Sequence, residues 1–404
     1  MGKVMTTGKG RRWLRGGHPW LYSDDIAAAE GTAGELVPIF GPNDEALGWG
    51  LFSNASRIAV RRVTTRPEQP DRTFWAGLVK AAIERRARLG WLTERGACRL
   101  IGGDAEHLPG LVVDRYGDVL VMQSGCQGSD RMRDFLLELI LEAVPFEVRA
   151  VLDRSDSGVR RFEDLEPRVE WLKGAPAEGQ AGEPVIVEED DLSYEVDVLG
   201  GHKTGHYLDQ RDNRRRAAEL TAARGGQARV LDAFSYDGLF GIRCALAGAR
   251  EVVCLDQNAA AGERLMRNAE RNGVADRVRF VKANAMTELR ALEQAGERFD
   301  LVVCDPPAFA RNRREAAGAA RGYREVNLRA MRLLVREGVL VSASCSYNVS
   351  REEFIGHLEH ASRDAGRDAW LIDVRSAAAD HPVLLGLPES SYLKCAFLGV
   401  SDRS

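Results

Sequence analysis

The second half of the chain alternates short apolar runs with longer amphipathic stretches, and this alternation constrains the fold more than any other feature. From about residue 192 onward, runs rich in Val, Leu and Ile are separated by stretches with helical periodicity. Buried strands that alternate with helices are typical of a mostly parallel sheet covered on both faces. We therefore predict a doubly wound α/β domain with strands at 229–232, 251–256, 278–281, 299–305 and 338–344.

The carboxyl ends of these strands carry the first chemical signal, because an open α/β sheet binds its ligands there. Asp232 is followed by a turn that contains Gly238, and Asp256 ends the next strand, 24 residues after Asp232. The glycine lets a ligand approach the backbone, and an acid at the second strand end can accept hydrogen bonds from ribose hydroxyls. Because the turn lacks the full glycine pattern that cradles a pyrophosphate, the sequence favours S-adenosylmethionine over a nicotinamide dinucleotide.

Two further strand ends carry residues suited to chemistry on a planar base. The fourth strand ends in Asp305-Pro-Pro-Ala-Phe309, where a rigid proline pair can hold an acid and an aromatic ring near each other. An ordinary proline turn is the alternative interpretation. The fifth strand ends in Ser344-Cys345-Ser346, and a thiolate there can add to an electron-poor ring carbon. Cys254 and Cys304 lie inside apolar strands and are expected to be core residues.

The first half of the chain follows a different pattern. Residues 1 to about 70 contain short β-rich runs separated by Gly, Pro, Asn and Asp, which is typical of a small β-barrel. A helical period at 73–89, a hairpin signal at 110–123, and a helix and strand within 132–152 predict a small α+β unit. Residues 173–185 are rich in Gly, Ala and Pro and predict a linker.

The distribution of charge bears on the partner. The chain carries 56 Lys and Arg against 60 Asp and Glu, and a formal charge of −4 argues against a polyanionic partner as long as only the total is considered. Basic residues cluster, however, in the N-terminal tail, before the first strand of the α/β domain, and between residues 311 and 336. Clusters beside a predicted pocket suit the phosphates of a nucleic acid, although part of them can be a solvated helix face. These residues are Lys3, Lys9, Arg11, Arg12, Arg15, Lys203, Arg211, Arg214, Arg215, Arg216, Arg311, Arg313, Arg314, Arg321, Arg324, Arg329, Arg332 and Arg336.

Composition excludes several classes of protein. Seven scattered cysteines without a C-x-x-C spacing argue against a disulfide framework or a zinc site, so we expect a cytoplasmic protein. No apolar run reaches the length of a membrane span, and the first residues lack the apolar core of a secretory signal. His202 and His206 have no suitable zinc ligands near them in sequence, so we also expect no metal.

Several motifs together resemble one known family. Asp305-Pro-Pro and Ser344-Cys345-Ser346 at successive strand ends, preceded by the run from Lys203 to Arg214, resemble the bacterial 23S ribosomal RNA cytosine-5 methyltransferases. Further matches are Gly17-His-Pro-Trp-Leu-Tyr-Ser23, Arg321-Gly-Tyr-Arg-Glu-Val-Asn327 and Asp380-His-Pro-Val383, so the similarity spans essentially the whole chain. The resemblance implies a PUA RNA-binding barrel at 1–72, a central α+β domain at 73–182 and a Rossmann-like class I methyltransferase domain at 183–404.

The resemblance also implies roles for individual residues. Cys345 would be the catalytic nucleophile, and Asp305 would be the acid of the base pocket. S-adenosylmethionine is implied as the cofactor and large-subunit ribosomal RNA as the partner, without a membrane, and a homodimer is left open. The implied cofactor-binding residues are Tyr207, Asp209, Gln210, Arg211, Asp232, Phe234, Ser235, Gly238, Asp256, Asn284 and Asp305. The implied contacts to the RNA substrate are Pro306, Pro307, Phe309, Arg311, Arg321 and Tyr323.

The implied reaction is methylation of a cytosine at C5 through a covalent adduct of Cys345 at C6. Three residues depart from the family pattern: Asn284 replaces an acid, His206 replaces an aromatic residue, and Ala308 replaces the second cysteine of many related enzymes. The base that removes the C5 proton is therefore not identified. Two alternatives stay open, namely methylation of an exocyclic base amine without cysteine catalysis and an RNA-binding protein that has lost its activity.

Overall fold

The computed structural model describes residues 2–176, 183–309 and 316–403. The chain divides into two compact units, each assembled from separate stretches of sequence. The first unit contains Met1–Glu189, Val196–Leu208 and Ala379–Ser390, and the second contains Asp190–Glu195, Asp209–Ala378 and Ser391–Ser404. The predicted three-domain boundaries stay a prediction, although the two halves of the first unit have separate sheets.

The first half of the first unit is built on a six-stranded sheet with the order β2-β6-β5-β4-β1-β3. The basic N-terminal segment, one of the clusters expected to suit phosphates, forms part of this fold. Its strand and helix place Lys9 against Asp25, and Arg11 and Arg15 against Glu45. The elements are β1 (Lys3–Thr6), α1 (Gly8–Arg15), β2 (Trp20–Tyr22), β3 (Ile26–Glu30), β4 (Leu36–Phe40), β5 (Ala46–Phe52) and β6 (Ile58–Thr64).

The second half of the first unit contains the predicted α+β elements. Its five-stranded sheet has the order β11-β10-β9-β8-β7, and the predicted hairpin is formed by β8 and β9 around Gly117. The elements are α2 (Arg72–Arg88), β7 (Ala97–Gly102), β8 (Leu111–Tyr116), β9 (Val119–Ser124), α3 (Gln127–Arg131), α4 (Arg133–Ala143), β10 (Ala150–Ser155), β11 (Arg168–Lys173) and β12 (Val185–Glu189). Residues 177–182 of the predicted linker lie outside the described residues.

One hydrophobic core joins the two sheets of the first unit. Trp49 and Val63 from the six-stranded sheet pack in the same cluster as Trp75 and Val79 of α2 and Leu136 of α4. These side chains are almost entirely buried, and burial of apolar area is the main stabilising contribution to a fold. The shared core explains why the barrel and the α+β region form a single compact unit.

The second unit contains the predicted α/β sheet, with seven strands in the order β16-β15-β14-β17-β18-β20-β19. Neighbours from β16 to β18 run parallel, as the sequence predicts, and β20 pairs antiparallel with both β18 and β19. The elements are β13 (Leu192–Val196), α5 (Arg211–Ala222), β14 (Arg229–Ala233), α6 (Leu239–Leu246), β15 (Glu251–Asp256), α7 (Ala259–Arg271), β16 (Val278–Lys282), α8 (Ala285–Gln294), β17 (Phe299–Cys304), α9 (Ala316–Arg332), β18 (Leu334–Ser344), α10 (Arg351–Ala365), β19 (Arg367–Arg375) and β20 (Lys394–Asp402).

The helices after β18 and β15 begin at side-chain caps. Ser350 accepts a hydrogen bond from the backbone N–H of Glu353, whose carboxylate accepts one from the N–H of Ser350, so α10 starts at a capping box. Asn258 caps α7 by accepting from the N–H of Ala261. These caps fix where the chain turns from strand to helix, close to the strand ends that carry the candidate site. Among the described residues, no helix is long and apolar enough to cross a membrane.

Candidate active site

The order of the strands brings three acidic residues to one edge of the sheet. β14 lies between β15 and β17, and Ala233 at its end is in register with Leu255 and Cys304 of those neighbours. Asp232, Asp256 and Asp305 therefore stand at the ends of three adjacent parallel strands. Such a point, where the strand order reverses direction, is where open α/β sheets bind ligands.

The turn after β14 has a backbone that few residues adopt. Phe234 (φ 63°) and Tyr236 (φ 52°) are left-handed without being glycine, and Gly238 has φ 77°. A Cβ at Gly238 would lie 2.4 Å from Cγ of Leu265, so only glycine fits there. The N–H of Tyr236 donates to Asp256 at 2.9 Å and thereby ties this turn to the neighbouring strand. Strained backbone of this kind concentrates at functional sites.

Asp232 supports this turn from within the core. It is 1% exposed, and its carboxylate accepts a hydrogen bond of 2.9 Å from the N–H of Gly241 at the start of α6. Burial, together with the charges of Asp305 and Asp256, raises the pKa of Asp232 to about 8. A carboxyl group with this pKa is mainly protonated at neutral pH. Its position indicates that Asp232 organises the loop around a ligand.

Asp256 and Asn284 end the next two strands of the sheet. The carboxylate of Asp256 is half-buried and accepts hydrogen bonds from the N–H groups of Tyr236 (2.9 Å) and Asn258 (2.8 Å). The exposed Asn284 caps α8, since its side-chain oxygen accepts from the N–H of Thr287. The oxygen of Asn284 is thus engaged, whereas its amide nitrogen has no hydrogen-bond partner within the described residues.

These residues fit the predicted cofactor, S-adenosylmethionine. The Oγ atom of Ser235, in the turn after β14, is buried and has no hydrogen-bond partner in the part of the chain that the structure describes. A buried hydroxyl without a partner is unfavourable, which makes this atom a candidate ligand contact. Asp256 could hold the ribose hydroxyls, and the amide nitrogen of Asn284 could donate to the adenine edge. When bound, the cofactor supplies a methyl group on a positively charged sulfur.

The loop before α5 reaches the same strand ends. Nε2 of Gln210 donates to Oδ2 of Asp305 at 2.9 Å, and Asn213 in turn donates to Oε1 of Gln210. The buried Asp209 accepts a hydrogen bond of 2.7 Å from the hydroxyl of Tyr392. The remaining predicted cofactor contacts of this loop are Arg211, which is buried, and Tyr207, which belongs to the first unit and lies 3.0 Å from Nδ1 of His202.

The Asp-Pro-Pro turn packs onto α9. Asp305 and Phe309 are half-buried, Pro306 is buried and Pro307 is exposed. The ring of Phe309 meets the ring of Tyr323 edge to face, with centroids 4.8 Å apart. Of the other predicted RNA contacts, Arg321 is exposed, and Arg311 lies outside the described residues.

Tyr323 connects the Asp-Pro-Pro turn to the Cys345 turn. It is fully buried, which differs from the predicted role as an RNA contact. Its hydroxyl accepts a hydrogen bond of 2.7 Å from Ser344 and lies 3.0 Å from Oγ of Ser346. Burial raises the pKa of Tyr323, so the hydroxyl is neutral. Tyr323 therefore positions the two serines that flank Cys345. Its full burial does not agree with the direct RNA contact that the sequence predicted.

Cys345 differs from the other six cysteines in its exposure. None of the seven forms a disulfide, but Cys345 is half-buried and the others are buried. Burial raises the pKa of Cys244 to about 12 and raises the pKa values of Cys254 and Cys304 as well, so these thiols stay protonated. The prediction that Cys254 and Cys304 are core residues is confirmed.

Lys394 is a residue that the sequence predictions missed. It is the first residue of β20 and pairs in register with Ser344, the residue before Cys345. Its ammonium is buried and donates hydrogen bonds to backbone carbonyls, among them that of Ser346. A usable signal existed in the sequence, namely a single lysine at the head of the apolar run Cys395-Ala-Phe-Leu-Gly-Val400.

Most of the described arginines in the predicted basic clusters form ion pairs with acidic residues or are buried. Arg324 pairs with Asp364, and Arg329 and Arg332 both pair with Glu293. In the cluster before β14, Arg215 and Arg216 also form ion pairs, and Arg211 and Arg214 are buried. A role of these clusters in tracking phosphates thus stays a prediction. Arg313 and Arg314 lie outside the described residues, and within those residues no cluster of His, Cys, Asp or Glu suited to a metal is found.

Comparisons with known proteins agree with this geometry. Residues 5–65 match the PUA-like domain family, and residues 159–375 match the S-adenosylmethionine-dependent methyltransferase family. The fold is similar to a solved SAM-dependent methyltransferase of Streptococcus mutans, with a TM-score of 0.83, 20% identity, and coverage of 99% of this chain and 100% of that chain.

Three curated relatives are named ribosomal RNA large subunit methyltransferase I. The Aeromonas salmonicida protein is 36% identical over 93% of this chain and 94% of its own length, and the Klebsiella pneumoniae (strain 342) protein is 36% identical over 97% and 96%. The Shewanella amazonensis protein is 38% identical over 93% and 94%. The chain thus belongs to the ribosomal RNA large subunit methyltransferase I family and is an S-adenosylmethionine-dependent methyltransferase with a PUA-like N-terminal domain.

Proposed function

We propose that this protein methylates C5 of a cytosine in large-subunit ribosomal RNA through a covalent adduct of Cys345. The relatives supply the class of substrate, because their names state that they act on large-subunit ribosomal RNA. The observation that supports the cysteine mechanism is the contrast between half-buried Cys345 and six buried cysteines. Six buried cysteines outside any disulfide also suit a reducing compartment, so we propose a cytoplasmic location.

In the proposed reaction, the Cys345 thiolate forms a bond to C6 of the cytosine, and the electron pair of the C5–C6 double bond becomes available at C5. C5 then takes the methyl group from the sulfonium of the cofactor, which leaves as the neutral thioether S-adenosylhomocysteine. Removal of the C5 proton by a base restores the double bond and expels the Cys345 thiolate. Asp305 would accept a hydrogen bond from the N4 amine and, in its carboxylic acid form, donate one to N3, where negative charge accumulates when the thiolate adds.

Tyr323 supports a shared role for the two motifs in one pocket. Its ring contacts Phe309 of the Asp-Pro-Pro turn, and its hydroxyl holds both serines around Cys345. In the rival reaction, methylation of an exocyclic amine, Asp305 and the prolines suffice and Cys345 has no role. That reaction gives no reason for a buried hydroxyl network that fixes the residues on either side of the cysteine.

A cationic cavity in the first unit is a candidate surface for the RNA. The cavity has a volume of about 670 Å³ and lies between the end of β6 and the start of α2. Its lining includes Arg62, Arg66, His107 and the ring of Phe74, together with one acid, Asp71, whose carboxylate caps α2 by accepting from the N–H of Phe74. No carboxylate in the described ranges pairs with either arginine, and burial and Arg62 lower the pKa of His107. Unpaired guanidinium groups beside an aromatic ring suit a phosphate and a stacked base.

The test is methyl transfer from labelled S-adenosylmethionine to unmodified large-subunit ribosomal RNA, followed by digestion to nucleosides. We expect labelled 5-methylcytidine with the wild-type protein and none with Cys345→Ala, which should still bind the cofactor. RNA that contains 5-fluorocytidine should become covalently trapped on wild-type protein, because the C5 position then carries no removable proton.

Cys395→Ala is the matched control, since Cys395 lies on the neighbouring strand β20 and is fully buried. This variant should keep methyl transfer and trapping. Label found in an exocyclic-methylated nucleoside, or methyl transfer retained by Cys345→Ala, would reject the adduct mechanism. Absence of any transfer to RNA by a protein that binds the cofactor would favour the RNA-binding alternative.

A further inference from the structure

A buried lysine lies beside the Cys345 turn. Lys394 is 7% exposed, and its ammonium donates hydrogen bonds to the carbonyl oxygens of Ser346 (2.6 Å), Val349 (2.7 Å) and Tyr392 (2.9 Å). An ammonium group has three N–H donors, so these three acceptors account for all of them. The positive charge is therefore held in one place by the backbone.

Lys394 contacts the residues on both sides of Cys345. Its backbone pairs in register with Ser344, because β20 runs antiparallel to β18. Its side chain then reaches past Cys345 to the carbonyl of Ser346. Lys394 thus holds the residue before Cys345 through its backbone and the residue after Cys345 through its side chain. Substitution of Lys394 by an apolar residue would release the second contact and leave the carbonyls of Ser346 and Val349 without their donor.

Of the titratable groups around this turn, only Lys394 has a charge that favours a thiolate at Cys345. Glu353 of α10 is an anion, since hydrogen bonds from the helix cap lower its pKa, and Asp305 at the end of β17 is a second acid. Burial lowers the pKa of His357 on α10 and raises the pKa of Tyr323 on α9, so neither is charged at neutral pH. Among these groups Lys394 alone is a cation.

Lys394 keeps its proton at neutral pH. Burial lowers the pKa of Lys394 to about 8, and the charges of Cys345 and Glu353 oppose that decrease. At pH 7 the ammonium form is therefore about tenfold more abundant than the amine. A free cysteine has a pKa of about 8.5 and is only slightly ionised at this pH, but a nearby fixed cation increases the thiolate fraction.

We propose that Lys394 is a positioning residue that fixes the Cys345 turn and stabilises the Cys345 thiolate, an inference that rests on the proposed role of Cys345 as the nucleophile. Lys394 does not carry the proton itself, because all three of its N–H groups are bound to carbonyls. The thiol proton goes to solvent, and the thiolate that remains is electrostatically paired with the ammonium. After expulsion from the base, the thiolate returns to the same environment.

The test is the pH dependence of Cys345 alkylation by iodoacetamide in the folded protein, measured by mass spectrometry of the Cys345 peptide. The other six cysteines are buried, so Cys345 reacts first. We expect a wild-type midpoint clearly below the free-thiol value of about 8.5. In Lys394→Met the midpoint should rise by about one pH unit or more, which gives roughly tenfold slower alkylation at pH 7, with a similar rate at high pH. Lys80→Met, which removes an exposed lysine, should match the wild type.

Lys394→Arg keeps the charge and should keep the low midpoint of Cys345 alkylation. It is the second variant to compare with the wild type if Lys394→Met does not fold. A wild-type midpoint at or above about 8.5, or equal midpoints for the wild type and Lys394→Met, would overturn the proposal. A raised midpoint for Lys394→Arg as well would also overturn it, because the effect would then not follow the charge. Alkylation needs no RNA. A low, Lys394-dependent midpoint together with absent 5-methylcytidine would therefore reject the proposed function, while still showing that Lys394 stabilises the Cys345 thiolate.

Discussion

Replacement of Tyr323 by phenylalanine isolates the contribution of one hydroxyl to the Cys345 turn. The ring contacts with Phe309 and Phe354 remain, and only the atom that accepts from Ser344 and lies 3.0 Å from Ser346 is removed. Both serine hydroxyls are buried, so water cannot readily replace the lost partner. The substitution therefore leaves buried polar groups unsatisfied next to the proposed nucleophile.

The magnitude follows from that geometry. A hydrogen bond contributes about 0.5–1.5 kcal/mol net, and a buried polar group left without a partner costs about 1–3 kcal/mol. Tyr323→Phe affects two such groups, which can in part bond to each other, so we expect a loss of about 2 kcal/mol in the free energy of unfolding of the second unit. This loss corresponds to about a 30-fold change in the unfolding equilibrium. Methyl transfer should fall by about tenfold or more, because a displaced nucleophile reacts slowly.

The buried cysteines provide an assay that reports on each unit separately. In urea, each buried thiol becomes reactive only when its surroundings open, and mass spectrometry identifies the modified peptide. The cysteines of the first unit are Cys98 and Cys126, and those of the second unit are Cys244, Cys254, Cys304 and Cys395. Tyr323→Phe should shift the labelling midpoint of the second set to lower urea concentration and leave that of the first set in place.

Two serines on the same strand serve as a matched pair. Ser344→Ala removes a hydroxyl that donates to Tyr323, and Ser342→Ala removes a buried hydroxyl that has no hydrogen-bond partner within the described residues. Ser344→Ala should destabilise the second unit, whereas Ser342→Ala should be neutral or stabilising. Equal effects of the two serine substitutions, or an unchanged second unit in Tyr323→Phe, would refute the reasoning.

Three further predictions concern other parts of the molecule. The pKa of Asp232 is raised to about 8, so the folded state loses stability relative to the unfolded state as the pH rises from about 4 to 8. Asp232→Asn cannot ionise and should therefore unfold at a higher temperature than the wild type. The difference in unfolding temperature should grow with pH until about 8 and then level off. Gly238→Ala should destabilise the second unit by about 2 kcal/mol or more and weaken cofactor binding in calorimetry, because φ is positive and the new Cβ would meet Leu265 at 2.4 Å. Arg62→Glu should lower affinity for large-subunit ribosomal RNA about tenfold or more and reduce its salt dependence in filter binding, whereas Arg88→Glu, at the far end of α2 from the cavity, should have a much smaller effect.

The parallel part of the sheet could be predicted because its signal is local. The apolar runs of β14, β15, β17 and β18 are largely buried and are followed by helices or strands that cover them, and 251–256 matches β15 residue for residue. β16, at the edge of the sheet, is only partly buried. The pair β19 and β20 was not predicted, since no helix separates the two strands and the alternation that marks the others is missing. β19 is also mostly half-buried or exposed, so its residues carry little of the apolar signal.

The candidate site divides in the same way. The acids at strand ends follow from chain order alone, because parallel strands present their carboxyl ends at one edge. The ion pairs of the arginines cannot be predicted from chain order. Arg329 of α9 pairs with Glu293 of α8, and Arg324 of α9 pairs with Asp364 of α10. Such pairs depend on how helices pack. The acceptors of Lys394 are backbone carbonyls, which leave no trace in the sequence.

The position of β20 has a consequence for how the second unit assembles. β20 follows β19 in the chain, yet in the sheet it lies between β18 and β19. Until β20 is inserted, β18 presents an unpaired edge and β19 has no place to dock, and exposed edges promote association between chains. Because Lys394 is the first residue of β20, the insertion of this strand also places the ammonium of Lys394 beside the Cys345 turn. A partly folded chain would therefore expose an aggregation-prone edge and lack a finished pocket at the same stage of folding.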